Sequence, residues 1–226
     1  MTEKGGFLKK SKDNILSIHI MRNLNKDLLE STLKAKDVLK DKRILEAFRY
    51  VDRVDFVPSE MKEYAYFDKP ISIGFGQTIS QPFTVGFMLK LLEIDLGNSV
   101  LDIGAGSGWT TALLAYITGE NGLVTGVEII PELVDFGNSN LSKYNFKNAK
   151  IIQAGKKLGI PGETFDKILV SASAKTLPTD LILQLKPGGI IVIPIKESVW
   201  KIQKNLDGSI SKSEFPGFIF VPLING

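Results

Sequence analysis

The most constraining stretch of this chain is SVLDIGAGSGWTT, residues 99–111. Its first half, Ser99 to Ile103, is an apolar, β-branched run that is typical of a buried parallel strand and carries one charge, Asp102. The segment from Trp109 onwards predicts a helix that packs back onto the sheet. Between them the backbone turns sharply, because glycines alternate there with small residues, at Gly104, Gly106 and Gly108. This unit predicts a nucleotide-like ligand at the carboxyl edge of a parallel sheet.

The spacing of the glycines narrows the choice of ligand. A dinucleotide fingerprint reads G-x-G-x-x-G, whereas this turn reads G-x-G-x-G, with Trp109 in the place of the last fingerprint glycine. The turn also lacks the Lys-Ser/Thr ending of a P-loop, which disfavours a triphosphate. Glu128 lies 24 residues after Gly104 and ends the next apolar run, where a carboxylate can accept hydrogen bonds from ribose hydroxyls. These features favour an adenosine without phosphates, such as S-adenosylmethionine, over a purely structural turn.

Composition and length are those of an ordinary globular chain. The 226 residues are 43% hydrophobic and 23% charged, which suits one compact unit. We expect a tail and helical segment at residues 1–58 and a cofactor-binding domain at residues 59–226. No apolar run approaches the roughly 20 residues that a membrane helix needs, and the polar N-terminus is unlike a signal peptide. Without cysteine there is no disulfide or thiolate nucleophile. We therefore expect a cytoplasmic protein, and a monomer.

Positive charge is concentrated at the N-terminus. Residues 1–43 carry eleven Lys and Arg against six Asp and Glu, a net charge of +5, while the whole chain has a net charge of only +3. The signs alternate and Phe7 is the one Phe, Tyr or Trp among them, so a solvated helical face is favoured over a nucleic-acid contact.

The N-terminal half shows helical spacing followed by an irregular stretch. Apolar residues recur among charges from Ile15 to Ala35 and again from Ile44 to Val51, and Pro58 ends this pattern. We expect these helices to cover one flank of the sheet. Residues 59–82 are rich in Gly, Pro and aromatics without a steady period, which predicts a functional loop. Thr84 to Leu92 then predicts a helix.

Further apolar runs predict the rest of the sheet, and Pro131 to Tyr144 predicts a helix between two of them. The parallel strands are expected at Leu123–Val127, Lys150–Gln153, Lys167–Val170 and Ile190–Ile195, the last after a Pro-Gly-Gly turn. Two antiparallel edge strands, Val199–Asn205 and Phe218–Leu223, are expected to flank the loop LDGSISKSEFPG, in which Asp207-Gly208 favours a tight turn. The prediction is an α/β, doubly wound, Rossmann-like sheet, mostly parallel, with an antiparallel C-terminal edge and N-terminal helices.

Several of these segments together resemble one family. The chain carries FVP (56–58), AYFDKPISIGFGQTISQP (65–82), VLDIGAGSGWTTALLA (100–115), VEIIPEL (127–133), FDKILVSASA (165–174), LILQLKPGGIIVIPI (181–195) and FVPL (220–223). Over about residues 44–223 it resembles the protein-L-isoaspartate O-methyltransferases. The resemblance implies a class I methyltransferase fold, the cofactor S-adenosylmethionine, and methylation of the α-carboxylate of isoaspartyl residues in damaged proteins. The ester then collapses to a succinimide, which is a route back to normal aspartate.

The resemblance also implies roles for particular positions. Ser80 corresponds to the serine usually given as the active-site residue. The expected cofactor contacts are Ile79, Asp102, Gly104, Ala105, Gly106, Ser107, Gly108, Glu128, Ile129, Gly155 and Lys156, with Glu128 holding the ribose. The expected substrate contacts are Thr78, Ser80, Ser171, Ala172 and Ser173.

The chemistry of this reaction suits the residues present. An α-carboxyl group has a pKa near ~3.5 and is already a nucleophilic anion at neutral pH. Neither a general base nor a metal is required, and the remaining work is alignment and the exclusion of water. The chain's one histidine, His19, lies outside every predicted site loop. Histidine-based triads and histidine–cysteine metal sites are therefore disfavoured.

Three positions depart from the family's pattern and leave alternatives open. Phe75 stands where many bacterial members have histidine, Lys175 where a small residue and proline often follow the alanine-rich loop, and Gly155 where an aspartate recognises the adenine amino group. One alternative is a catalytically impaired member that binds a peptide or small ligand. Another is a methyltransferase with a different carboxylate acceptor.

Three assignments have a purely structural alternative. Ser80 suits the cap of the helix that begins near Thr84. Asp102 suits a buried residue that orders the glycine turn, with or without a ligand contact. Lys156 and Lys157 are expected to be solvated, although either can reach across the position that lacks the aspartate.

Overall fold

A seven-stranded sheet organises the protein. The computed structural model describes residues 21–224. Two short strands, β1 (Ile71–Gly74) and β2 (Gln77–Ile79), precede this sheet in the chain and lie outside it. Its own strands are β3 (Ser99–Ile103), β4 (Leu123–Glu128), β5 (Ala149–Gln153), β6 (Phe165–Val170), β7 (Leu185–Ile195), β8 (Ser198–Lys204) and β9 (Ile210–Pro216). Their order in the sheet is β5-β4-β3-β6-β7-β8-β9. Strands β3 to β7 run parallel, and β8 and β9 are antiparallel to their neighbours. The predicted architecture, a mostly parallel sheet with an antiparallel C-terminal edge, is confirmed.

Helices precede and connect these strands. They are α1 (residues 21–35), α2 (Lys42–Tyr50), α3 (Pro82–Leu92), α4 (Trp109–Thr118), α5 (Pro131–Leu141) and α6 (Thr179–Leu183). Asp41 caps α2 by accepting hydrogen bonds from the backbone nitrogens of Arg43 and Ile44. Proline opens both α3 and α5, where its missing N–H costs nothing. The part of the predicted Ile15–Ala35 helix before residue 21 lies outside the described residues, as does His19.

Alternate residues of the central strands enter two different cores. Val100 and Leu169 belong to the larger core, which also contains Leu113 of α4. Leu101 and Ile168 belong to the smaller core beneath α6. Both faces of the parallel strands are therefore buried, as expected for near-continuous apolar strands. The sheet face that packs against the larger core is covered by α2 to α5, whereas the opposite face is covered by α6.

The helical N-terminal segment shares its core with the sheet domain. Leu33, Ala47 and Phe56 are fully buried and belong to the same hydrophobic cluster as Leu113. This shared core supports the proposal that residues 1–58 and 59–226 form one compact unit. Within residues 21–224, no helix is both long enough and apolar enough to cross a membrane.

The C-terminal edge of the sheet is antiparallel as predicted, but the prediction of its last strand is wrong. The partner of β8 is β9, and Lys204 pairs with Ile210. The tight turn at Asp207-Gly208 is confirmed, because Asp207 accepts from the backbone nitrogen of Ser209. However, the chain re-enters the sheet immediately after this turn. The polar sequence of β9 suits an exposed edge strand, which an apolar pattern does not detect.

Two other segments differ from their predicted form. The Pro-Gly-Gly sequence is an irregularity inside β7, where the pairing moves from Phe165–Leu185 to Lys167–Ile190. The stretch 59–82 is more regular than expected. It contains a 3₁₀ turn at Ser59–Tyr64 and a hairpin of β1 (Ile71–Gly74) and β2 (Gln77–Ile79), which form a separate two-stranded sheet. We call this hairpin the flap.

Candidate active site

A cleft lies at the carboxyl ends of β3 and β4, beside the point where the strand order reverses. Open α/β sheets bind ligands at such points. The cleft holds about 950 Å³ of empty space, a figure that includes its open mouth. Its wall contains twelve of the predicted site residues: Thr78, Ile79, Ser80, Gly104, Ala105, Gly106, Ser107, Glu128, Ile129, Gly155, Ser171 and Ala172.

The glycine turn forms the floor of the cleft. Gly104 and Gly106 have φ values of 77° and 53°, a region that L side chains rarely adopt. The backbone nitrogens of Gly104 and Ala105 both donate to the carbonyl of Val127, at 2.9 and 3.1 Å. These bonds tie the turn to the end of β4. A side chain on Gly106 would approach Ile73 of the flap to 3.3 Å, so the flap lies close over the turn.

Gly108 serves helix packing and does not line the cleft. A Cβ atom on this residue would lie 3.0 Å from the carbonyl oxygen of Gly137 and 3.1 Å from Ile151. Only glycine permits this close approach of α4 and α5. The expected cofactor contact at Gly108 is therefore not part of the cleft wall.

Glu128 joins the glycine turn to the start of the next helix. One oxygen of its carboxylate accepts from the backbone nitrogen of Gly106 at 2.9 Å. The other accepts from the backbone nitrogens of Ile129 and Ile130, at 2.8 and 3.0 Å. The side chain is almost fully buried and still contributes to the cleft wall. A carboxylate held in this way presents its remaining lone pairs in a fixed orientation to hydroxyl donors.

Asp102 lies behind the cleft and not in its wall. It is fully buried, and its Oδ2 atom accepts from the hydroxyl of Thr111 in α4 at 2.7 Å. Its Oδ1 atom has no hydrogen-bond partner among the described residues. Burial, followed by the nearby charge of Glu128, raises the pKa of Asp102 to about 7, although the bond from Thr111 opposes this shift. Asp102 is thus a buried structural residue, and its side chain joins β3 to α4.

The segment Thr78–Ser80 forms the wall opposite the glycine turn. Ser80 is not the cap of α3, because the helix begins at Pro82, Gln81 occupies the N-cap position, and no side chain caps it. The capping alternative for Ser80 is therefore wrong. Ser80 is half-buried and lines the cleft.

The loop after β6 contributes its first two residues to the cleft. The backbone nitrogen of Ser171 donates to the carbonyl of Ile103 at 2.8 Å, and Ser171 and Ala172 line the wall. Ser173 does not line the cleft and instead binds other loops. Its backbone pairs with Val221 and Leu223 at 2.8 Å each, and its hydroxyl donates to the carbonyl of Lys196.

The loop after β5 closes the far end of the cleft. Gly155 lines the cleft, and a Cβ atom on it would meet nothing within 4 Å. Lys157 lines the cleft as well, whereas Lys156 does not. This end therefore holds open space and a lysine where the family pattern has a carboxylate.

Other wall residues were not predicted from the sequence. Ile73 and Gln77 come from the flap, and Trp109 comes from the start of α4. The C-terminal segment Val221–Ile224 lines the cleft instead of extending the sheet. The motif FVPL in this segment was part of the family resemblance. Because the segment was predicted to be an edge strand, its contribution to the cleft wall was not predicted. Within residues 21–224, no three His, Cys, Asp or Glu side chains cluster closely enough to hold a metal ion.

Comparisons with known proteins show similarity to one family over most of the chain. The family model described as protein-L-isoaspartate(D-aspartate) O-methyltransferase (PCMT) matches residues 22–226. The protein-L-isoaspartate O-methyltransferase of Methanopyrus kandleri is 40% identical over 211 residues, which cover 91% of this chain and 93% of that protein. The enzyme of the same name from Pyrococcus horikoshii is 39% identical over 198 residues, with coverage of 85% and 89%.

A solved structure shares the fold over nearly its whole length. It is the crystal structure of a candidate protein-L-isoaspartate O-methyltransferase from Plasmodium falciparum in complex with S-adenosyl-L-homocysteine. The two chains superpose with a TM-score of 0.78 at 29% identity, over 89% of this chain and 99% of that one. With the match of the family model over most of the sequence, these findings lead to one conclusion: the chain belongs to the protein-L-isoaspartate O-methyltransferase family.

Proposed function

We propose that this cleft binds S-adenosylmethionine and directs its methyl group to the α-carboxylate of an L-isoaspartyl residue, as the first step of protein repair. The observation that carries the proposal is the meeting of three sequence-distant parts in one cleft. The glycine turn and Glu128 form one side, and Thr78–Ser80 forms the other. The family match favours this activity over an impaired binding module or another carboxylate acceptor.

The residues present suit an adenosine-based sulfonium ligand. Gly104 and Gly106 place bare backbone at the cleft floor, where side chains would occupy the ligand's space. Glu128 supplies a fixed carboxylate for the ribose hydroxyls. The open volume beside Gly155 leaves room for the adenine ring. When bound, S-adenosylmethionine supplies an electrophilic methyl group, so the chain itself needs no metal or nucleophile.

The acceptor side is built for alignment. We infer that the hydroxyl of Ser80 donates to one oxygen of the acceptor carboxylate and turns the other towards the methyl donor. That carboxylate is ionised at neutral pH, since its pKa is near ~3.5, and it needs no base. Ser80 is therefore a positioning donor and forms no covalent bond. Backbone groups of Ser171 and Ala172 border the acceptor.

Apolar residues of the flap and of the C-terminal segment exclude water from the acceptor carboxylate and the methyl donor. Ile73 and Ile79 come from the flap, and Val221 and Leu223 come from the C-terminal segment. Removing water strengthens the bond from Ser80 and keeps the reacting groups in a narrow range of orientations.

The adenine end of the cleft is the most divergent part of the site. We infer that the missing carboxylate at Gly155 weakens recognition of the adenine amino group by on the order of 1 kcal/mol, the net value of one hydrogen bond. Lys157 lies in this wall but can only donate hydrogen bonds. The base is then held by packing and backbone, and the methyl-transfer side of the cleft is unchanged.

The proposed activity has a direct test. The purified protein is incubated with methyl-labelled S-adenosylmethionine and a peptide that contains one L-isoaspartyl residue. The control peptide contains normal aspartate at the same position. We expect base-labile methyl esters, and methanol released from them, with the isoaspartyl peptide alone. Equal labelling of both peptides would favour a different carboxylate acceptor, and binding without labelling would favour a binding module.

Two broader properties are also proposals. We propose that the protein acts in the cytoplasm, in keeping with a chain that has no cysteine to form disulfides. We propose that it is a monomer, since the cleft is built from residues of a single chain. Light scattering after size-exclusion chromatography measures the oligomeric state directly, and a mass of twice 24.9 kDa would overturn the monomer.

A further inference from the structure

A buried arginine that sequence reasoning did not single out lies behind the acceptor wall. Arg53 opens the 3₁₀ turn Arg53–Phe56 and is only 3% exposed. Its hydrogen-bond partners in the described part of the chain are all backbone carbonyls. Burial lowers the pKa of Arg53 to about 9, so it remains a cation at neutral pH. A buried charge is costly unless its donors are satisfied, so this arrangement needs a reason.

The carbonyls that Arg53 holds lie on both sides of the flap. One terminal nitrogen, Nη1, donates to Ala65 at 2.7 Å and to Phe67 at 3.4 Å. The other, Nη2, donates to Lys69, Ile79 and Ser80, at 3.0, 3.4 and 3.0 Å. The first three carbonyls precede the flap, Ile79 is the last residue of the flap, and Ser80 directly follows it. One guanidinium thus closes the base of the hairpin.

The flap depends on such an anchor. It is a two-stranded sheet separate from the main one, and an isolated hairpin is marginally stable. Its tip, Gly74 to Gly76, has positive φ values throughout, and Phe75 there is exposed. Yet the flap carries Thr78 and Ile79 into the cleft wall, and its position decides where Ser80 stands.

The other face of Arg53 contacts the cofactor side of the cleft. The centre of the guanidinium lies 5.2 Å from the centroid of the Trp109 ring, within range of a cation–π interaction. Trp109 is the first residue of α4, directly after the glycine turn, and it lines the cleft. Its ring also packs against that of Phe48 in a T-shaped arrangement, with the ring centroids 5.4 Å apart. Arg53 therefore lies between the two walls that have to be aligned.

We propose that Arg53 is a positioning residue that fixes the flap, and with it Ser80, at a set distance from the glycine turn. The proposal rests on the proposed function for its effect on turnover. A guanidinium suits the task because its planar fork reaches two groups of carbonyls at once while its face lies on an indole. A lysine keeps the charge but has a single nitrogen and no planar face, so it cannot close both sides of the hairpin.

The experiment compares Arg53→Lys with Arg49→Lys. Arg49 lies four residues earlier, and its guanidinium makes a two-pronged contact with Glu30 of α1, at 2.7 and 2.8 Å, and not with the flap. Each variant is measured in three ways: kcat on the isoaspartyl peptide, Kd for S-adenosylhomocysteine by calorimetry, and hydrogen exchange by mass spectrometry. The exchange experiment uses the ligand-free protein and therefore does not depend on activity.

For Arg53→Lys we expect kcat to fall about tenfold or more through lost alignment, with Kd changed less than about threefold. Exchange should rise about tenfold across residues 70–80 and stay unchanged in β3 and β6, as for local opening. Arg49→Lys should match the wild type in all three. Normal exchange in the flap of Arg53→Lys, or a rise spread over the whole sheet, would overturn the proposal. Wild-type inactivity would instead reject the proposed function, while exchange still tests Arg53.

Discussion

The carboxylate of Glu128 accepts a hydrogen bond from the backbone nitrogen of Gly106 at 2.9 Å, across the gap between β4 and the glycine turn. The same side chain holds the backbone nitrogens of Ile129 and Ile130. One carboxylate therefore shapes the floor of the cleft and also contributes to its wall. Its removal should affect both the turn and the ligand.

Glu128→Ala is expected to weaken binding of S-adenosylmethionine by about 1.5–3 kcal/mol, the value of a hydrogen bond to a charged group. Isothermal titration calorimetry measures the change. Glu132→Ala is the matched control, because Glu132 is an exposed carboxylate in the first turn of α5. If Glu128→Ala keeps its circular dichroism spectrum and binds as tightly as the control, Glu128 does not contact the ribose.

Ser80→Ala is expected to lower kcat on an isoaspartyl peptide with little change in cofactor affinity, since the proposed role of the lost hydroxyl is to hold the acceptor and not the adenosine. Losing one positioning hydrogen bond of about 1 kcal/mol corresponds to a fall of about fivefold or more. Ser72→Ala serves as control because Ser72 is an exposed serine on the same flap. Full turnover in Ser80→Ala, or a methyl group trapped on Ser80 in the wild type, would rule out the positioning role.

Gly155→Asp is expected to strengthen binding of S-adenosylhomocysteine by about 0.5–1.5 kcal/mol, because it restores one acceptor for the adenine amino group. The structure permits the change: Gly155 is not among the positive-φ residues, and its Cβ atom would meet nothing within 4 Å. Gly155→Ala controls for the filled space alone.

The same comparison includes an inosine-type analogue that lacks the exocyclic amine. A gain for the adenine ligand alone would place Gly155 beside the base. An equal gain for both ligands would place the adenine amino group elsewhere in the cleft. A gain of the same size in Gly155→Ala would attribute the effect to filled space and not to a new hydrogen-bond acceptor.

Asp102 is expected to make folding stability depend on pH. Its folded-state pKa is raised to about 7, whereas an unfolded aspartate titrates near 3.9. Between these pH values Asp102 holds a proton in the folded protein that it has lost in the unfolded chain. The contribution of Asp102 to the free energy of unfolding is therefore greatest below about pH 4 and falls as the pH rises to about 7. Asp102→Asn lacks this titration and keeps an acceptor for Thr111.

Urea unfolding of the wild type and of Asp102→Asn at several pH values between 4 and 8 isolates this contribution, because all other titrating groups are shared. The wild type should lose stability relative to the variant as the pH rises. A stability difference that stays constant with pH would mean that Asp102 titrates normally in the folded protein.

The sequence alone determined the parallel strands of the sheet, the glycine turn and nearly half of the cleft wall. Strands such as Ser99–Ile103 are specified by local composition, and the turn by glycines whose backbone freedom no other residue supplies. Glu128 was found because a short βαβ unit places the end of its second strand beside the turn. These are local relations, so chain order reveals them. The segments that match the family supplied Ser80 and the activity.

Tertiary structure decided the contacts between parts distant in the chain. Arg53 is an ordinary charge in the sequence, and only folding shows that it closes the flap and lies on Trp109. Gly108 and Ser173 share their motifs with cleft residues, yet one faces α5 and the other pairs with the C-terminal segment. That segment looked like a strand because its apolar side chains are the same whether they face a sheet or a ligand. The sequence pattern predicts that a residue is buried, whereas the residues that it packs against depend on the fold of the whole chain.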